Sequence, residues 1–173
     1  MDPQVALVMG SYSDYHKLDS ALEVFKEFAV EFEIRVLSAH RTPDETAEFA
    51  KTAESRGVKV IIAAAGGAAH LPGVIAAHTI IPVIGVPIAN EALGGLDSLL
   101  SMTQMPGGIP VAVMSAGGGG AQNAALMAIA ILAIGNSSLG EMLKTYRRLM
   151  AAKVLERDSA LQWKSSEHQA QKL

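Results

Sequence analysis

The sequence predicts a three-layer α/β/α sandwich around a central parallel sheet. Three observations carry this prediction. Five short runs rich in Val, Ile, Leu and Ala recur along the chain, at residues 5–9, 34–37, 60–64, 83–86 and 111–114. Each is nearly continuous in apolar character rather than alternating, as strands covered on both faces are. Segments of helical period lie between them, and short links between strand and helix give parallel neighbours with helices on both sides of the sheet. The expected arrangement is of flavodoxin-like type.

The elements follow in order. The first helical segment spans 14–29, with Leu18, Leu22, Phe25 and Phe28 at spacings of three and four. The second spans 42–56. Thr42 can cap it, Pro43 suits the first helical position, Glu45 can reach back as in a capping box, and Gly57 ends it. Shorter helical segments are expected at 71–79 and 97–102, a strongly apolar helix at 121–133, and a long final helix at 138–163 with a break near Asp158. The tail from Ser165 is polar and expected to fray. The 173 residues therefore read as one domain over 1–164 and a polar tail over 165–173, in keeping with ~100–200 residues per domain.

Composition removes several function classes. Fourteen Lys and Arg against 17 Asp and Glu give a formal net charge of -3, which argues against nucleic-acid binding by bulk electrostatics and against a basic membrane-surface protein. With no cysteine, a disulfide framework, a thiolate zinc site, an iron–sulfur cluster and a cysteine nucleophile are excluded. The start, Met-Asp-Pro-Gln, lacks the basic and apolar regions of a signal peptide. The longest unbroken apolar run, 124–134, falls short of the ~20 residues of a membrane-spanning helix. A cytoplasmic protein is expected. From 60 to 140 there is no Lys or Arg, and the acidic residues are Glu91 and Asp97 alone. With a mean hydropathy of +0.28, that is more apolar surface than a monomer comfortably exposes, and a homo-oligomer is expected.

In doubly wound sheets ligands bind in the loops beyond the carboxyl ends of the strands, which directs attention to four loops. Gly10-Ser11-Tyr12-Ser13-Asp14 is open to two readings. Ser13 or Asp14 is an ordinary N-cap, or the hydroxyls and helix N–H groups cradle a phosphate while Asp14 accepts from a ribose hydroxyl. Ser38-Ala39-His40-Arg41-Thr42-Pro43 combines a guanidinium suited to bidentate phosphate pairing with an imidazole, a group whose unperturbed pKa of ~6.5 suits proton transfer near neutrality. Ala65-Gly66-Gly67-Ala68-Ala69-His70-Leu71-Pro72-Gly73 permits close backbone approach to a flat ligand, with His70 as its one polar side chain. His78 lies eight residues further on and reads as structural. No carboxylate accompanies the two histidines, so no metal site is expected. Ser115-Ala116-Gly117-Gly118-Gly119-Gly120 must pass near a ligand or another chain. It is not a Walker loop, and nothing in the chain demands NAD, FAD or ATP.

Seven segments then stand in the order and spacing of one family. They are Gly10-Ser-x-Ser-Asp14, Ser38-Ala-His-Arg-Thr-Pro43, Ala65-Gly-Gly-Ala-Ala-His-Leu-Pro-Gly73, Gly85-Val-Pro87, Asp97-Ser-Leu-Leu-Ser101, Gln104-Met-Pro106 and Asn123-Ala-Ala-Leu126. The chain resembles the N5-carboxyaminoimidazole ribonucleotide mutases of purine biosynthesis over about residues 4 to 135. The resemblance implies transfer of a carboxylate from the exocyclic nitrogen of an aminoimidazole ribonucleotide to ring carbon C4. It implies no metal, no ATP and no organic cofactor. The path would be decarboxylation, a trapped CO2, and attack by C4 on that CO2, with His40 as general acid and base and His70 beside the reacting end. Ser11, Ser13 and Arg41 would hold the phosphate, Asp14 the ribose hydroxyls, and Ser38 the base or carboxylate. Ala65, Gly66, Gly67 and Leu71 would line the base and CO2. The resemblance also implies an octamer whose active sites draw on more than one subunit, with the final helix, 138–163, at a subunit interface.

The sequence departs from the family in two places. Tyr15 stands where many members carry Trp, and the run Ser115-Ala116-Gly117-Gly118-Gly119-Gly120 replaces the usual Ala-Ile-Gly-x-Ala/Ser-Gly, adding chain entropy to that loop. Two other functions compete. One is direct carboxylation of aminoimidazole ribonucleotide with CO2, against which Arg41 and the segment Gly66-Gly67-Ala68-Ala69-His70 speak. The other is a non-catalytic nucleotide-binding subunit of flavodoxin-like fold.

Overall fold

The computed structural model describes residues 2–170, with side chains described through 161. The order is β1 (Val5–Met9), a 3-10 turn (Tyr12–Leu18), α1 (Asp19–Glu27), β2 (Phe32–Val36), α2 (Pro43–Thr52), β3 (Val60–Gly66) and α3 (Leu71–Ala76). There follow β4 (Val83–Ile88), α4 (Leu96–Thr103), β5 (Ala112–Val113), α5 (Gly120–Ala133) and α6 (Ser137–Ala170). The chain forms two compact units, Met1–Leu132 and Ala133–Leu173. The first holds the whole sheet. The second is built on α6.

All five strands are parallel, in the order β2-β1-β3-β4-β5. This is the flavodoxin-like order, whose direction reverses beside β1. Leu7 stands opposite Ile34 on one side and Ile62 on the other. Every residue of β1 and β4 is buried, which explains why these strands read as continuous apolar runs. On one face Ala6, Val8, Ile61 and Ala63 pack with Phe49 and Ala50 of α2, Leu71 and Ile75 of α3, and Met102 of α4. Alternation sends Leu7, Met9, Ile62 and Ala64 to the opposite face, where they are also fully buried. Helix α1 contributes buried Leu22, Val24 and Phe25, and α5 contributes buried Ala124, Ala125, Ala128 and Ile129. Burying a side chain such as Phe25 contributes roughly 1.5–3 kcal/mol.

Four local expectations are corrected. The segment 14–29 is not one α-helix, because Tyr12–Leu18 winds as a 3-10 turn and α1 begins only at Asp19. Ser11 caps the 3-10 turn, its side chain accepting from the Ser13 N–H, so the cap is neither Ser13 nor Asp14. Thr42 precedes α2 and Pro43 opens it, yet Thr42 makes no side-chain cap. Its hydroxyl is engaged by Ser38 instead. Finally, α6 runs unbroken past Asp158 and takes in residues 165–170 of the polar tail. No Gly or Pro follows Gly140, so nothing in the local chemistry stops it. Residues 171–173 lie outside the described residues. Gly57 does end its helical segment, in the left-handed conformation at φ 91°, which glycine adopts without steric penalty. Among the described residues no helix is long and apolar enough to cross a membrane.

Candidate functional site

A cavity of about 410 Å³ opens at the carboxyl ends of β1, β2 and β3. Its place follows from strand order. β2 and β3 flank β1, and strands spaced ~4.8 Å apart put the β2 and β3 exits ~10 Å from each other across β1. Two facing side chains span such a gap.

The first loop lies at the exit of β1. Ser11 is extended at φ -148° and ψ 145°, and its Oγ lies 2.8 Å from Ser13 Oγ. Ser11 and Asp14 line the cavity, whereas Ser13 does not. Asp14 is 9% exposed, and its Oδ1 lies 3.8 Å from the Lys17 ammonium. The first loop is thus capped by Ser11 and not by Ser13 or Asp14. It presents a hydroxyl and a carboxylate to a cavity.

The second loop closes on itself. Ser38 Oγ accepts from the backbone N–H groups of His40 and Arg41, at 3.4 and 3.2 Å, and from Arg41 Nε at 3.4 Å. Thr42 Oγ1 accepts from the Ser38 N–H at 2.8 Å and donates to the Ser38 carbonyl at 3.1 Å. Arg41 Nη2 donates to the Gly10 carbonyl at 2.7 Å, stitching the second loop to the first. A guanidinium carries five N–H donors in a planar fork, so this tether leaves donors for an anion.

The third loop supplies the facing wall. Ala65, Gly66, Ala68, His70 and Leu71 line the cavity. Gly67 does not, but its φ of 63° makes the turn. Gly66 lies so close to β4 that a Cβ there would stand 3.1 Å from the Ile88 carbonyl oxygen. His40 Nε2 and His70 Nδ1 meet at 2.8 Å with their rings nearly perpendicular, at 79°. One of the facing nitrogens donates and the other accepts. The bond survives with both rings neutral or with one cationic, and it breaks if both nitrogens carry hydrogen.

Of the residues singled out from sequence, His40, His70, Ser11, Asp14, Ser38, Arg41, Ala65, Gly66 and Leu71 share this cavity. Ser13 and Gly67 are not among the residues that line it. Gly10, Ala39 and Ala68 also line it and were not singled out, although each lies inside a loop the strand-end rule had marked. The fourth loop is not brought here. Gly117 and Gly118 border a separate cavity of about 480 Å³, with His16, Lys17 and the end of β4. His78 is exposed and lines neither cavity. Among the described residues no group of three or more His, Asp or Glu is placed to hold a metal ion.

The doubly wound sheet, with this cavity at its switch point, has the architecture of an α/β enzyme. The particular family follows from sequence. Residues 4–153 match the family described as AIR carboxylase, and the chain belongs to it. The chain is 57% identical over 148 residues to an N5-carboxyaminoimidazole ribonucleotide mutase of Pyrococcus abyssi, covering 86% of this chain and 84% of that one. It is 51% identical over 161 residues to the N5-carboxyaminoimidazole ribonucleotide mutase of Bacillus subtilis, covering 93% and 99%. Among solved structures, the Treponema denticola PurE2-S38D crystal structure superposes with a TM-score of 0.84 at 30% identity, covering 93% of this chain and 99% of that one. The resemblance read from seven motifs is thus borne out, and its extent runs further than residue 135.

Proposed function

We propose that this enzyme interconverts N5-carboxyaminoimidazole ribonucleotide and 4-carboxy-5-aminoimidazole ribonucleotide in purine biosynthesis. The observation that carries the reading is the imidazole pair His40–His70, 2.8 Å apart, in one cavity with Arg41, Ser11 and Asp14. His40, as an imidazolium, gives a proton to the exocyclic nitrogen as the N–CO2 bond breaks. Aminoimidazole ribonucleotide and CO2 remain in the cavity. C4 attacks the CO2 carbon, and the now neutral His40 takes the proton that C4 sheds. Protons balance across the cycle, and one imidazole serves as both acid and base. His70 stands beside it and holds the ring orientation. Arg41 and the Ser11 hydroxyl take the phosphate, with Ser13 holding the Ser11 hydroxyl from 2.8 Å, Asp14 takes the ribose hydroxyls, and Ser38 keeps the His40–Arg41 backbone in place. The small residues Ala65, Gly66 and Gly67 leave no polar side chain to hold water near CO2.

The proposal extends to assembly and place. Leu93, and Leu96 and Leu100 on α4, are large apolar side chains left exposed on the single chain. They support a cytoplasmic homo-oligomer, an octamer as in the resembling family, in which 1–164 acts as one functional domain.

The test is turnover of purified protein without ATP. Wild type should convert N5-carboxyaminoimidazole ribonucleotide, and His40→Asn should lose about 10²–10⁴-fold in kcat while still binding the ribonucleotide. Consumption of aminoimidazole ribonucleotide and bicarbonate, with no turnover of the N-carboxylated compound, would overturn the reading in favour of direct carboxylation. Activity untouched by His40→Asn would point to a non-catalytic subunit.

A further inference from the structure

Lys17 lies outside every motif that led to the site, and its ammonium bridges a wall residue of the site to the loop after β4, which borders the second cavity. Nζ stands 3.8 Å from Asp14 Oδ1 and donates to the Ala89 carbonyl at 3.2 Å, across 72 residues of sequence. Ala89 directly follows β4. The lysine therefore ties the wall residue Asp14 to the exit of a strand two places away from β1 in the sheet. Among the described residues, Lys17 is the side chain paired with the Asp14 carboxylate.

Charge gives this contact a purpose. The charged residues lining the cavity are Asp14 and Arg41, which sum to zero. A ribonucleotide bearing a phosphate and a carbamate is strongly anionic, and a carboxylate in the wall opposes its entry. The stretch from 60 to 140, which supplies the third loop, holds no Lys or Arg, so that wall brings no compensating cation. Lys17 supplies it. Its contact with Oδ1 offsets the carboxylate charge, while Oδ2 has no described protein partner and remains an acceptor for a ligand hydroxyl.

We infer that Lys17 is a positioning residue for ribonucleotide binding, acting through Asp14. The inference rests on the proposed mutase reading for its substrate, and its side chain is half-exposed, which sets a modest expectation. The experiment compares wild type, Lys17→Met, Lys17→Arg, Asp14→Asn and the double variant. Mutase KM for N5-carboxyaminoimidazole ribonucleotide is measured at low and high salt, and Kd for 5-aminoimidazole ribonucleotide by calorimetry. Lys17→Met should raise KM and Kd about 3–5-fold, the range of an exposed to half-exposed ion pair, with a much smaller change in kcat. Lys17→Arg should restore both. The direct, long-range pull of the lysine on the anion, read by the salt dependence of KM, should be small, because the half-exposed ammonium is screened by solvent. In the Asp14→Asn background the effect of Lys17→Met should vanish. The inference is overturned if Lys17→Met leaves KM and Kd unchanged, if it lowers kcat and KM together, or if its effect persists without Asp14. Wild type that binds 5-aminoimidazole ribonucleotide in a Lys17-dependent manner but shows no mutase turnover would sink the mutase reading and leave the inference standing.

Discussion

The hydroxyl of Thr42 offers a sharp test of how the His40 loop is held. Sequence rules place this residue as a helix cap. The structure gives its hydroxyl a different task, accepting from the Ser38 N–H at 2.8 Å and donating to the Ser38 carbonyl at 3.1 Å. Thr42→Val keeps the shape, removes both bonds and leaves a half-buried N–H without a partner. One such bond contributes ~1 kcal/mol, and an orphaned buried group costs ~1–3 kcal/mol, so a loss of about 2 kcal/mol is expected. In a chain of this length that lowers Tm by about 4–8 °C. Thr42→Ser keeps the donor and acceptor and should stay within about 1 kcal/mol of wild type. Thr42→Asp separates the two roles. Aspartate caps helices as well as threonine does, so a cap would survive the change. It can still accept from the Ser38 N–H but cannot donate to the Ser38 carbonyl, and its charge would face that oxygen, so here it should cost about 1 kcal/mol or more. Thermal melts at one protein concentration, followed by circular dichroism, read all three. A Thr42→Asp variant as stable as wild type would refute the reasoning.

Two further substitutions probe the frame of the site. Gly67→Ala forces an L-residue to φ 63° although no atom lies within 4 Å of the new Cβ, so it should cost about 1 kcal/mol through backbone strain alone. An unchanged urea midpoint would show that the turn relaxes. Arg56 pairs with Glu33 at 3.1 Å, donates to the Phe49 carbonyl at 3.4 Å and lies over the Phe49 ring at 4.7 Å. Arg56→Met should lower stability by about 1–3 kcal/mol with mutase KM unaffected, because this cluster lies away from the cavity. A raised KM at unchanged stability would contradict that placement.

Much of the fold was legible because the signals that write it are short-range. Continuous apolar runs mark strands covered on both faces, and Val5–Met9 and Val83–Ile88 are buried at every residue. Gly57 marks a helical stop because few other residues accept a left-handed turn. The final helix ran past its expected break because one Asp in a run of good helix formers is a weak stop. The capping roles of Ser11 and Thr42 were misassigned for a related reason. A hydroxyl has several backbone partners within reach, and which one it takes depends on the turn it sits in, not on its neighbours in sequence.

The amino-acid order by itself determined the strand–helix alternation, the loops that bear chemistry, and, through seven ordered motifs, the family. Tertiary structure decided which loops meet. His40 and His70 are 30 residues apart, and they touch because β2 and β3 lie on either side of β1. The same strand order leaves the glycine loop 117–120 beside a different cavity and lets Lys17 reach Ala89 over 72 residues. Periodicity and turn chemistry act over a few residues, whereas contacts between strand ends depend on register and neighbour order across the whole sheet.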